Sequence, residues 1–185
     1  MPPHPSSEPA LDDQSDDALG AAVLRGDEAA FRSLYRRHTP RLRRLVARLV
    51  GDVNAESDDA VQEAWMRAVR GLGEFRKDAA FATWIAAIAI RVCHETFRRQ
   101  KRWSFVGGEL PETLASPPVM EHERLDLEAA MGRLSEGYRA VLVLHDVEGM
   151  THGDIAERLG IAEGTSKSTL SRARAAVRRY LGSPD

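Results

Sequence analysis

The sequence predicts an all-α protein of two small helical domains joined by a flexible linker, the second domain carrying a helix-turn-helix. Three observations predict it. Apolar residues recur at spacings of three and four through Phe31, Leu34, Tyr35, Leu42, Leu45, Val46 and Leu49, and again through Phe81, Ile85, Ile88 and Val92, as on one face of an α-helix. From Trp103 to about Glu123 this pattern stops, and SFVGGELPETLASPPVMEHE brings paired glycines, prolines and mostly acids, the composition of a tether. Finally, EGMTHGDIAERLGIAEGTSKSTLSRARAAVRRY, Glu148 to Tyr180, reads as two short helices around a tight turn, the second one basic.

Taken in order, Met1 to roughly Gln14 is rich in proline and acid and is expected to be a disordered tail, since it cannot bury enough apolar surface to order itself. Ser15 suits the cap of a short helix ending at Gly26, and Asp27 the cap of the next. Pro40 lies inside that second helix and predicts a kink or break near His38 to Pro40, because proline removes a backbone donor and disfavours helical geometry at Thr39. A third helix runs from about Ala55 to Arg70 and opens on Glu56, Asp58, Asp59, Gln62 and Glu63. Acids in a first turn suit the helix dipole; they also suit a docking face for a basic partner. A loop from Gly71 to about Asp78 leads into FATWIAAIAIRVCHETFRRQKR, whose Arg91, His94, Glu95, Arg98 and Arg102 line a second side of the helix. Trp84 falls at the border of the two stripes, where tryptophan is more often core, although a ring beside cations is also what unstacked bases require.

Leu125, Leu127, Ala130, Met131 and Leu134 start the C-terminal domain, followed by Tyr138, Val141, Leu142 and Leu144. Thr151 and Asp154 cap the first helix of the pair, and Gly160 takes the left-handed backbone that ends it. The small Ala156 lets the two helices cross closely. At 3.6 residues per turn, Ser166, Leu170, Ala173 and Val177 form the inward stripe of the second helix. Thr165, Ser168, Ser171, Arg172 and Arg179 then face outward, flanked by Lys167, Arg174 and Arg178, with no acid between Gly164 and Leu181. Such a face fits a phosphate-lined groove.

The charges are segregated rather than mixed. A formal net charge of −2 hides an acidic tail and two basic stretches, Arg91 to Arg102 and Lys167 to Arg179. Cys93 is the single cysteine, so no intramolecular disulfide and no cysteine-based zinc cluster is expected, and a reducing compartment is the natural setting. The opening lacks the basic-then-apolar pattern of a signal peptide, and the longest uncharged run, Ala79 to Ile90, is too short to span a bilayer. A soluble, cytoplasmic chain with no cofactor is expected. No phosphate-cradling glycine loop or nucleophile-base pairing points to an enzyme. A stand-alone helix-turn-helix regulator is the alternative within DNA binding, but it needs a dimer interface that the pattern does not provide, and no homo-oligomer is expected.

DDAVQEAWMRAV, then FRKDAAFATWIAAIAIRVCHETFRRQKR, then LSEGYRAVLVLHDVEGMTHGDIAERLGIAEGTSKSTLSRAR together resemble the extracytoplasmic-function group of bacterial RNA polymerase sigma factors, over roughly Ser15 to Leu181. The resemblance implies a transcription initiation factor that binds core RNA polymerase and directs it to promoter DNA, helping to melt it, with an anti-sigma factor as regulator. It implies domains at 15–102, resembling sigma region 2, and 123–182, resembling region 4, joined by an acidic linker over 103–122. Asp58, Asp59, Gln62 and Glu63 would dock on the polymerase. Phe75, Lys77, Trp84, Arg91, His94, Glu95, Arg98 and Arg102 would read and melt the minus-10 element. Thr165, Lys167, Ser168, Ser171, Arg172 and Arg174 would read the minus-35 element. Members commonly carry Asn where Arg91 stands and Asp where Glu95 stands, an apolar residue at Ser166, and frequently a basic one at Thr169.

Overall fold

In the structure, a computed structural model, Ser15 Oγ accepts the backbone N–H of Ala18 and starts α1 (Asp16–Leu24). Residues 13–51, 55–75, 79–99 and 123–182 are described; the tail over 1–12, Lys77, Arg102 and the linker over 103–122 lie outside them. Asp27 caps α2 (Glu28–Val50), its carboxylate taking the N–H groups of Ala29 and Ala30 at 2.8 and 3.1 Å. Next come α3 (Ala55–Gly71), a 3₁₀ turn over Leu72–Glu74, and α4 (Phe81–Arg99).

Pro40 does not break α2, which runs continuously from Glu28 to Val50 through it, so of the expected kink or break the break does not occur. Proline sits on the exposed side of the helix, so the bond it forfeits to the carbonyl of Arg36 falls toward water. On the opposite side Thr39 is buried and its Oγ1 accepts Trp65 Nε1–H at 3.0 Å, and Leu34, Leu42 and Leu45 hold both halves of the helix against the core. Tertiary packing thus overrides the local breaker.

α1 packs on α2, and α2, α3 and α4 pack on one another. Their junction is aromatic: Phe31, Tyr35, Trp65, Phe75, Phe81 and Trp84 meet in a chain of ring contacts with centroids 4.8–6.2 Å apart. Phe81, Ile85 and Val92 are buried as the α4 stripe predicts, Ile88 only partly, while Ala89, Ile90, Cys93 and Phe97 add a second buried face.

The C-terminal set comprises α5 (Glu123–Gly132), α6 (Glu136–Leu142), α7 (His152–Leu159) and α8 (Glu163–Tyr180). A π-helical turn, Val143–Val147, continues α6, a widening the sequence does not announce. Here α8 packs on α5, α6 and α7, around Val141, Val143, Leu144, Ile155 and Leu170. The two sets also touch, α2 against α6 and α4 against α7, so that the core is continuous across them.

Candidate nucleic-acid interface

Thr151 Oγ1 accepts the N–H of Asp154 at 3.2 Å, and Asp154 Oδ2 accepts the N–H of Thr151 at 3.1 Å. This reciprocal box starts α7 and fixes its direction. The Thr151 hydroxyl, donating to Asp154 Oδ2 at 2.6 Å, and then the Thr151 backbone N–H hold the Asp154 carboxyl below the usual carboxylate range. Gly160 ends α7 at φ +64°, the left-handed geometry that a turn this tight requires, and the N–H of Ile161 returns to the carbonyl of Ala156 at 3.0 Å. α8 then crosses α7 with Ser166, Leu170, Ala173 and Val177 inward, as the periodicity predicts, and Thr169 and Ala176 join them. Thr169 is 3% exposed, so its side chain belongs to the packing face rather than the groove-facing one.

Lys167, Ser168, Ser171, Arg172 and Arg174 are exposed on the outer side, and Thr165 is half-buried, with its carbonyl accepting Ser168 Oγ–H at 3.0 Å. Lys167 pairs with Glu163 at 2.6 Å. Arg174 is held by Asp146, a residue of the π turn that sequence reasoning passed over. Beside Asp146, the ring of His145 stacks on that of His152 with centroids 4.6 Å apart, and His152 Nδ1 lies 2.9 Å from Ser166 Oγ.

A second face forms where α3 and α4 meet. Trp84, Arg91 and Glu95 line a cleft of about 410 Å³ together with Arg67, Gly71, Glu74 and Ile88. Trp84 is half-buried, 4.8 Å from the ring of Phe75, so it is neither wholly core nor wholly presented. Glu95 accepts Arg67 Nη1–H at 2.7 Å, and Arg91 lies 3.7 Å from its other oxygen. His94 is half-buried, and burial, then Arg98, pushes its pKa below the usual histidine range. Arg98 is exposed. Lys77 and Arg102 lie outside the described residues, so that the cleft unites three of the eight residues assigned to the minus-10 element, with Phe75 stacked beside them.

Of the residues opening α3, the acids Asp58 and Asp59 and the amide Gln62 are exposed, Asp58 lying 3.2 Å from Arg43. Glu63 turns to Arg67 at 2.7 Å, which holds its carboxyl below the usual range. Arg67 therefore bridges Glu63 and Glu95, one residue assigned to polymerase and one to DNA. Its i,i+4 spacing from Glu63 was legible in the sequence; its contact with Glu95, across α4, was not.

Residues 34–103 match the family model of sigma-70 region 2, and residues 124–177 that of sigma-70, region 4. The chain belongs to the sigma-70 family. It is 39% identical over 170 residues, 92% of this chain and 86% of the relative, to the extracytoplasmic-function RNA polymerase sigma factor SigM of Mycobacterium tuberculosis. Against the extracytoplasmic-function sigma-E factor of Escherichia coli the identity is 30%, over 88% of this chain and 92% of the relative. This sigma factor therefore falls in the extracytoplasmic-function group. Among solved structures it resembles the sigma factor RpoE of Bartonella quintana in complex with the anti-sigma factor NepR, at a TM-score of 0.60 and 22% identity over 84% of this chain and 98% of that one. It also resembles CnrH in complex with the cytosolic domain of CnrY, at 0.57 and 26% over 93% and 100%. As a sigma factor it is a transcription initiation factor that recognises promoters with RNA polymerase.

Proposed function

We propose that the two faces divide promoter recognition between them. α8 enters the major groove of the minus-35 element with Thr165, Ser168, Ser171 and Arg172 toward the bases and Lys167 and Arg174 toward phosphates. The cleft of Trp84, Arg91 and Glu95 meets the minus-10 element as its strands part. There an unstacked base lies against the rings of Trp84 and Phe75, and Arg91, His94, Arg98, Lys77 and Arg102 follow the backbone. Exposed Asp58, Asp59 and Gln62 dock on core polymerase, with Glu63 acting partly through Arg67. The domain limits assigned are 15–102 and 123–182, with 103–122 as the acidic linker.

The observation that supports this reading is the coincidence, on separate sets of helices, of an acid-free outer face on α8 beyond Glu163 and an aromatic-lined charged cleft on α4. The factor has no catalytic activity of its own and acts in the cytoplasm; among the described residues no helix is long and apolar enough to cross a membrane. Because one similar solved structure is a sigma factor in complex with an anti-sigma factor, an anti-sigma factor is assigned as its regulator.

The test is run-off transcription from a linear promoter template recovered from genomic fragments retained by the reconstituted holoenzyme. Transcript from that start site is expected only when both core polymerase and this chain are present. Tight, specific retention of the template by the chain alone, with polymerase adding nothing, would instead establish a stand-alone regulator.

A further inference from the structure

Arg174 makes a two-pronged contact that none of the groove-facing residues shares. Its Nε–H donates to Asp146 Oδ2 at 3.0 Å and its Nη2–H to Asp146 Oδ1 at 2.6 Å. A guanidinium carries five N–H groups, and this fork uses the Nε edge, leaving Nη1 and the outer hydrogen of Nη2 as a second, end-on edge. That second edge is the one able to meet a phosphate while the first stays on the carboxylate.

Asp146 is itself fixed. It lies in the π turn whose Val143 and Leu144 are fully buried, and the N–H of Met150 returns to the carbonyl of Leu144 at 2.9 Å. His145 Nδ1 sits 2.8 Å from Asp146 Oδ1, and because a carboxylate only accepts, the histidine donates. The His145 ring stacks on His152, which reaches the wholly buried Ser166 of α8. A line of contacts thus runs from the packing face of α8, through both histidines, to the carboxylate that grips Arg174.

We propose that Asp146 is a positioning residue for Arg174 in the contact with the minus-35 element, orienting the guanidinium so that its end-on edge faces a backbone phosphate. The inference rests on the reading of α8 as the helix that enters the upstream element. Arg174 stands seven residues after Lys167, two helical turns along the same flank, where a groove-bound helix faces the phosphate wall rather than the bases. A lone exposed arginine must give up its rotamer freedom on binding; one already gripped has lost most of it beforehand.

The test uses holoenzyme assembled from full-length chain and core polymerase, on a promoter duplex recovered by that holoenzyme and on the same duplex with its upstream element scrambled, across a range of salt. Asp146→Ala is expected to weaken binding to the intact promoter by about 3- to 10-fold, the effect of freeing one long side chain, with an unchanged salt slope because the charge of Arg174 remains. Arg174→Ala is expected to weaken it and to lower the salt slope by about 0.9, one phosphate contact. The double variant should bind like Arg174→Ala alone, and Asp146→Asn, which keeps one acceptor, should recover part of the loss. Thermal melts of each variant guard against a folding effect. Unchanged or tighter binding by Asp146→Ala would make Asp146 a bystander or a competitor and overturn the inference, as would a further loss when it is added to Arg174→Ala. If wild-type holoenzyme failed to distinguish intact from scrambled upstream DNA, the reading of α8 would fall and take the inference with it; discrimination by the wild type with no effect of Asp146→Ala overturns the inference alone.

Discussion

Arg139 Nε–H donates to the carbonyl of Leu49 at 2.9 Å, a bond between α6 and the last turn of α2 that spans 90 residues of chain. Its Nη1 meets the carbonyls of Met131, Gly132 and Leu134 at 3.0–3.3 Å, so a single cation serves the C-terminal ends of both α2 and α5, where carbonyls carry partial negative charge. Gly51, at φ +90°, completes the fit, since any Cβ there would run into the guanidinium. Arg41 and Glu148 make a second cross-contact at 3.3 Å. A tether over 103–122 would leave the two halves free to move independently; in this structure they dock through Arg139, whose side chain is 4% exposed.

If the two faces take up the minus-35 and minus-10 elements as proposed, the docked arrangement has to open on a promoter. Elements at minus-35 and minus-10 lie about 25 base pairs apart, roughly 85 Å at 3.4 Å per step, whereas a compact chain of this length has a radius of gyration of roughly 16 Å. Arg139→Met should favour the parted state, because it leaves the carbonyl of Leu49 without its donor, a loss of about 1–3 kcal/mol. Small-angle scattering of the free protein is expected to show a larger radius of gyration for the variant. The same radius and the same melting profile as wild type would show that the docking does not depend on this residue.

Reading and positioning should separate along α8. Arg172 is exposed beside Ser168 and Ser171, and Arg172→Ala is expected to cost roughly 1–3 kcal/mol, mostly on the preferred upstream sequence. Lys167→Ala should weaken intact and scrambled elements alike and reduce the salt slope by about one counterion. Val177→Asp, on the buried face, should unfold the C-terminal set rather than change sequence preference. Holoenzyme binding at several salt concentrations, with circular dichroism on each variant, resolves the three. Equal loss on both templates for a folded Arg172→Ala would remove Arg172 from the base-reading set.

Much of this architecture was legible because its signals are local. Ser15, Asp27 and Thr151 announce their helices through capping chemistry confined to a few residues, and the inward stripe of α8 follows from period alone. What was not legible depends on residues distant in sequence. Pro40 reads as a breaker until the Thr39 to Trp65 bond and the packing of Leu34, Leu42 and Leu45 are known. Arg139, within EGYRAVL, reads as an ordinary solvated cation, because nothing local reveals the carbonyls it will meet. The grip of Asp146 on Arg174 escapes for the same reason, with the π turn adding a shift of register that a 3.6-residue period misplaces. The exposed and buried faces were therefore legible, while the contacts that orient the residues on them were not.

Acid should destabilise the protein in the range where histidine titrates. Burial, with Arg98 and Arg91 beside it, lowers the pKa of His94, and Glu95 opposes them only in part. The fold thus prefers the neutral imidazole, whereas in the unfolded chain histidine takes up its proton near 6.5. Stability is then fully present above about pH 6.5 and declines as the pH falls through that value toward the lower folded pKa. His152, lowered chiefly by burial and then by His145, adds in the same direction. Urea denaturation at pH 7.5 and 5.5 should find the wild type weaker at 5.5 and the difference smaller in His94→Gln. Greater stability at pH 5.5 would contradict the sign.

Ser166 offers a last discrimination between packing and reading. A serine on a DNA-binding helix invites assignment to the groove. Here it is 0% exposed, with its Oγ 2.9 Å from His152 Nδ1, so the hydroxyl meets a histidine at the start of α7 instead of a base. Ser166→Ala should cost only about 1 kcal/mol, the usual net worth of one hydrogen bond, because His152 is partly exposed and water can replace the lost partner. Ser166→Asp should strongly destabilise the C-terminal set, since the carboxylate would be wholly buried and its described neighbour, the His152 ring, is disposed by burial to stay neutral. Urea denaturation measures both changes, and binding to matched and scrambled upstream elements measures specificity. A Ser166→Ala variant of unchanged stability but altered upstream preference would return Ser166 to the DNA-reading face and require α8 to sit about a quarter-turn from where its buried stripe places it.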